Sequence, residues 1–131
     1  MNEHDETYDD LDELPAPPRK SIPEADRQLL ELAARSIGAV RAEEVDGEEW
    51  LILHFSDGTE THGWNPLLFY ADTFELAVTL ELDIMHRVVG GKRVEVLPAG
   101  GPLTQEFYET EPLSATCRAI VRAAAGLGMK L

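Results

Sequence analysis

Two histidines, His54 and His62, flank the dipeptide Asp57-Gly58, a pair that favours a tight β-turn. Strands leaving such a turn can set both imidazoles facing each other across one hairpin, which is the first requirement of a divalent-metal site. Zinc needs a third and a fourth ligand. Asp57, Glu60 and His86 are the residues that would have to supply them, while His4 lies in the acidic N-terminal stretch. No metal-site spacing that carries specificity is present, so no metal ligand is assigned. Cys117 is the only cysteine, which excludes an internal disulfide and a cysteine-based cluster. It falls on an apolar helical stripe that already explains a small apolar side chain, so nothing marks it as a nucleophile. Gly90-Gly91 and Gly100-Gly101 lack the strand, glycine-rich loop and helix context of a phosphate loop. The carboxylates are many, but no pair is set apart for acid–base work. No catalytic residue and no cofactor are assigned.

Recognition chemistry is the remaining possibility. The stretch HGWNPLLFYADTFELAVTL (62–80) packs aromatic and apolar residues more densely than any other. Trp64, Phe69 and Tyr70 sit at a loop-like entry, where aromatic side chains can anchor a partner. The competing reading is that Trp64, beside Asn65-Pro66, covers the end of a small core. Net charge is −14, from 25 acidic and 11 basic residues. Such a field repels phosphate backbones and anionic lipid, which argues against direct nucleic-acid or membrane binding. It favours a basic protein surface, including one that normally holds nucleic acid, with Glu48, Glu49, Asp57 and Glu60 as the acidic contacts beside the aromatic ones. The plainer reading of the acidity is solubility.

Positioning these residues requires a fold, and 131 residues with 44% apolar content suit one domain with a modest core. No apolar run reaches the roughly 18–20 residues of a membrane span, and the acidic N-terminus lacks the features of a signal peptide. A cytoplasmic setting is expected. Residues 1–20 hold seven carboxylates before the first basic residue, Arg19, and then a Pro cluster. This composition predicts a disordered tail, within which Tyr8, Leu11 and Leu14 could form an acidic docking segment. The single α+β domain is expected over 21–131.

Helix signals open that domain. Ser21 and Glu24 match a capping box with Pro23 in the first turn; Leu29, Leu30, Ala33 and Ile37 form a stripe; Gly38 is the stop. Asp46-Gly47 and Asp57-Gly58 then predict a meander of three strands. Gly90-Gly91 predicts another hairpin, and 99–105 reads as loop. Residues 73–82 fit both alternation and helix. Asp72 with Glu75 in capping-box spacing favours helix, with Leu76, Val78 and Leu80 packing. A last helix follows Thr110 as N-cap, with Leu113, Cys117, Ile120, Val121, Ala124 and Leu127 on its stripe. The expected architecture is a small antiparallel sheet of about five short strands packed with three helices.

Two segments carry a resemblance. WNPLLFYADTFELAVTL is similar to the motif W-N-P-L-x-D-D-G-D-A-L-R-L-A-V-K-L, and SATCRAIVRAAAGLG to A-A-T-R-R-A-I-V-R-A-A-A-E-I-G, both of small phage and prophage proteins of unknown function. Trp64, Asn65, Pro66, Leu67, Asp72, Leu76, Ala77, Val78 and Leu80 match the first; Arg118, Ala119, Ile120, Val121 and Arg122 match the second. Phe69-Tyr70-Ala71 replaces the motif's Asp-Asp-Gly, and Cys117 replaces an Arg. The resemblance implies a phage origin and no particular chemistry. Together with the charge, it leads to an expectation of a phage accessory protein that binds a host nucleic-acid-handling or defence assembly and inhibits it. Two alternatives stay open. One is a small enzyme or ligand-binding domain with a pocket near Trp64, Tyr70 and Arg118; the other is a homo-oligomeric assembly protein.

Overall fold

The computed structural model describes residues 21–131. The expected tail, with Tyr8, Leu11 and Leu14, lies outside the described residues. In chain order the elements are α1 (Glu24–Ser36), β1 (Ala39–Glu44), β2 (Leu51–Phe55), β3 (Glu60–Trp64), α2 (Tyr70–Thr79), β4 (Asp83–Arg87), β5 (Arg93–Leu97), β6 (Thr104–Phe107) and α3 (Pro112–Gly128). The α+β class and the three helices, counted among the described residues, agree with the sequence reading. The single sheet does not. Six strands form two separate antiparallel sheets, ordered β1-β2-β3 and β4-β5-β6. The sixth strand overlaps the stretch read as loop. Thr104–Phe107 has little apolar signal because it is an edge strand, paired only with β5.

The helix ends show how the chain overrides capping patterns. Pro23, not Ser21, is the N-cap of α1, and no side chain caps the helix. Glu24 instead accepts from Arg27, which also donates to Glu31, so the first turn is held by i,i+3 and i,i+4 ion pairs. Gly38, at φ 97°, supplies the left-handed residue that ends α1. α3 begins with Pro112 after Glu111, not after a Thr110 cap. α2 runs 70–79, earlier than the 73–82 expected, with Phe69 as its N-cap. Its end is a six-to-one turn, Leu82 N–H to the Ala77 carbonyl, around Glu81 at φ 53°.

One core joins the three helices, β1, β2, β3 and β5. It includes Leu30 and Ala33 of α1, Leu51, Leu53 and Trp64 of the first sheet, and Leu76 of α2. Val94 and Val96 of the second sheet and Ala119, Ile120, Val121 and Ala124 of α3 complete it. α1 lies on β1, α3 lies on β5 and β6, and the two helices pack against each other, with α2 added to α3. The facing residues are small, among them Ala33, Ala34, Ala123, Ala124 and Gly128, so the helix backbones approach closely. The tightest point is Gly128, where a Cβ would overlap the Leu32 carbonyl oxygen.

Candidate functional site

Trp64 is placed by a bulge. Leu51 pairs with Trp64 and Leu53 with Thr61, so two steps on β2 face three on β3. Strict alternation would put Trp64 on the outer face with Glu60 and His62. The extra residue falls beside Gly63, whose φ of 76° is open to glycine at little cost, and it turns the indole inward. Trp64 is 3% exposed. Its assignment as an exposed anchor is therefore corrected, and the core-covering reading holds.

The chain after Trp64 is locked by polar contacts. Asn65 donates through its amide to the Glu49 carbonyl (2.6 Å) and accepts from the Leu67 N–H (3.0 Å). The Asp72 carboxylate accepts from the Asn65 N–H at 2.9 Å, so Asp72 caps the preceding loop and not its own helix. Partial burial raises the Asp72 pKa, and the Asn65 bond partly offsets this. The Thr73 hydroxyl donates to the Pro66 carbonyl and lies 3.5 Å from Cys117 Sγ. These bonds fix α2 at an angle that leaves Phe69 40% and Tyr70 60% exposed, so both aromatic residues are accessible.

On the outer face of the first sheet, His54 Nε2 is 2.7 Å from Glu43 and Nδ1 is 3.2 Å from Glu60, which also meets His62 at 3.0 Å. Glu60 is thereby held below the usual carboxylate range, chiefly by its bond to His62. Asp57 is also lowered, because it accepts from the Thr59 hydroxyl and N–H within the turn. His86, on β4, belongs to the other sheet. Among the described residues no group of three or more His, Cys, Asp or Glu could hold a metal ion. Glu48 accepts from the Trp50 indole at 3.0 Å, which adds an aromatic residue that sequence reading passed over.

Charge is divided between the sheets. From Ala39 to Trp64 there are seven carboxylates (Glu43, Glu44, Asp46, Glu48, Glu49, Asp57, Glu60) and one cation, Arg41. From Asp83 to Phe107 three acids (Asp83, Glu95, Glu106) balance three bases (Arg87, Lys92, Arg93). There Arg87 and Arg93 both bind Glu95, at 3.1 and 3.0 Å, and hold its pKa down, with Arg93 also over the Phe107 ring.

The pocket expected near Trp64, Tyr70 and Arg118 is not formed, because the three residues go to different places. Trp64 is in the core, and Arg118 pairs with Asp26 beside a polar cleft of residues 106–111. Tyr70 lines an apolar groove of about 320 Å³ between α2, α3 and β4, with Thr73, Phe74, Ala77, Ile84, Leu113, Thr116, Cys117 and Ile120. Phe74 (70% exposed), Val78 (59%) and Leu113 (60%) stand out on these elements, which corrects the expectation that Val78 packs. Sequence reading missed the groove because three distant segments build it. The available signal was Tyr70, Phe74 and Val78, four apart on one helix face. Among the described residues no helix is long and apolar enough to cross a membrane. No family model, no curated protein and no solved structure matches the chain.

Proposed function

We propose that this chain works by binding a basic protein through its acidic first sheet and the loops at the two ends of that sheet. The observation that carries this reading is the charge division: a surplus of six carboxylates between Ala39 and Trp64, against none between Asp83 and Phe107. A protein acidified only for solubility has no need to segregate charge this way. A concentrated field steers a complementary partner and raises the association rate. Glu48, Glu49, Asp57 and Glu60 are the contacts, with Trp50 beside Glu48. In keeping with the phage-protein resemblance, the partner class is a host assembly that handles nucleic acid or serves defence, and occupying its basic groove would inhibit it.

The test is affinity capture from bacterial lysate with the full chain and with a variant carrying Glu48→Gln, Glu49→Gln, Asp57→Asn and Glu60→Gln. A specific basic protein, retained by the wild type and released between about 50 and 500 mM salt as the Debye length shrinks, is the expected result. The variant should associate at least several-fold more slowly. Equal capture by both chains, or no protein retained at low salt, would refute the reading.

A further inference from the structure

We infer that His54 and His62 make the first sheet a proton-controlled release surface: as they gain charge on acidification, they engage Glu43 and Glu60 and a basic partner is let go. The inference rests on the reading of that sheet as part of the binding surface and adds its regulation. His54 stands on β2, the central strand, with its side chain 18% exposed. Its Nε2 lies 2.7 Å from a Glu43 oxygen on β1, and its Nδ1 lies 3.2 Å from a Glu60 oxygen on β3. One imidazole thus touches both neighbouring strands. His62, also on β3, meets the other Glu60 oxygen at 3.0 Å. A neutral imidazole has one N–H and one lone pair. In either tautomer, one of the two carboxylates beside His54 faces a lone pair and keeps that oxygen for another donor. An imidazolium donates from both nitrogens, so a proton on His54 engages Glu43 and Glu60 together. With His62 charged as well, Glu60 lies between two cations.

The effect on the field follows from the count. With its histidines neutral, the stretch from Ala39 to Trp64 has seven carboxylates against one arginine, a surplus of six; His54 and His62 are its only histidines, and charging both leaves four. Histidine is the side chain whose ordinary charge change falls between pH 5 and 8. The groups around the cluster set the background. Arg41 on β1, 3.6 Å from Glu43, is a cation throughout. Glu60 is held below the usual carboxylate range, chiefly by its bond to His62, and Asp57 by its bonds to Thr59, so both keep their charge across that interval. Glu44 turns instead to Arg27 of α1, at 3.3 Å, and Glu31 and Arg35 of α1 line the same cleft as Arg41. His86 belongs to the second sheet.

The probe is a fluorescent peptide of about ten lysines, whose charge is constant over the histidine range. Its binding to the full chain is read by anisotropy at about 50 mM salt, where exposed charges act over a long range. Two conditions, about pH 7.5 and about pH 5.5, lie toward either end of the interval in which histidine changes charge. The parent chain should bind at least about threefold more weakly at the lower pH, in the range of an exposed ion pair. His54→Gln with His62→Gln should match the parent at the higher pH and lose most of the difference, since glutamine gains no charge. His62→Gln alone, at a 59% exposed side chain, should remove part of it, and His86→Gln should leave it in place. The ring-proton NMR signals of His54 and His62 should shift over the same pH interval in which binding weakens. Equal binding by the parent at both pH values, or a double variant that keeps the full difference, would overturn the release surface and leave the first-sheet reading intact. A peptide that binds at neither pH would overturn that reading and the switch with it.

Discussion

Two glycines in the last turns of α3 make the same substitution act with opposite sign. Gly126 has nothing within 4 Å of the position its Cβ would take. Gly126→Ala therefore adds only helix propensity, roughly 0.8–1 kcal/mol of stability in a helix interior and less near its end. At Gly128 the new Cβ would overlap the Leu32 carbonyl oxygen and stand 2.8 Å from its carbon, where ordinary contact begins at 3.4 Å. Relieving the carbon contact alone means opening the α1–α3 seam by at least about 0.6 Å at that point, a gap that forfeits about a quarter or more of each dispersion contact across it. The other route is to unwind the end of α3, losing bonds such as Met129 N–H to Ala125 and Lys130 N–H to Leu127, at about 1 kcal/mol each. Both routes lead to a loss of about 1–3 kcal/mol, the usual range for overpacking. Urea unfolding of the two variants beside the parent is the assay, with thermal melts expected to move by roughly 4 °C per kcal/mol for a domain of this size. Gly126→Ala should melt higher and Gly128→Ala lower. If Gly128→Ala stays within about 0.5 kcal/mol of the parent, a typical surface effect, the close helix approach does not limit the fold.

Three further outcomes follow from local geometry. Asp72→Ala leaves the Asn65 N–H without its acceptor and should cost about 1–3 kcal/mol, whereas Asp72→Asn keeps an acceptor and should cost less. Because burial raises the folded Asp72 pKa, its contribution is fully present below the unfolded value and is lost as pH rises through the folded one. Measured across a pH series, any advantage of Asp72→Asn near neutrality should therefore close as pH falls toward 3.8. Glu81→Gly should add up to about 1 kcal/mol of stability by relieving a left-handed residue, read as a raised unfolding midpoint, and a lowered midpoint would refute the strain. Trp64→Ala should cost about 3–5 kcal/mol as a core deletion, while Tyr70→Ala stays within about 0.5 kcal/mol, both read by urea titration.

Local chemistry was legible where one dipeptide decides the structure. Asp57-Gly58 made its turn, and the expected meander of β1, β2 and β3 is present. Asp46-Gly47 lies within the connection of the first hairpin, but that connection spans residues 45–50 because Glu44 pairs with Leu51. The helical choice for α2 was right although its capping rationale was not, since Asp72 serves the loop behind it. What sequence left out depends on pairing at a distance. A run such as Thr104–Phe107 becomes a strand because β5 lies beside it, and no periodicity says whether two hairpins share a sheet. Sequence left Trp64 open between a surface anchor and a cover for the core, and one unpaired step at Gly63 turns it inward. The acidic candidates were readable as a cluster in sequence, but their contrast with a neutral second sheet emerges only once the sheets are known to be separate.

That same step at Gly63 has a bearing on how molecules of this chain avoid one another. Both border strands of the first sheet are irregular, β3 at the bulge and β1 between Ala39 and Arg41. An added strand could match either border over only part of its length, which discourages fibre-like growth from that side. The second sheet has no such interruption: β4 pairs with β5 continuously from Asp83 to Arg87, and β6 does so from Thr104 to Phe107. Its borders are guarded by side-chain charge instead, at Asp83 and Arg87 on β4 and Glu106 on β6. Salt weakens that guard and leaves the first sheet's irregularity untouched, so crowding at high ionic strength should bring molecules together through β4 and β6.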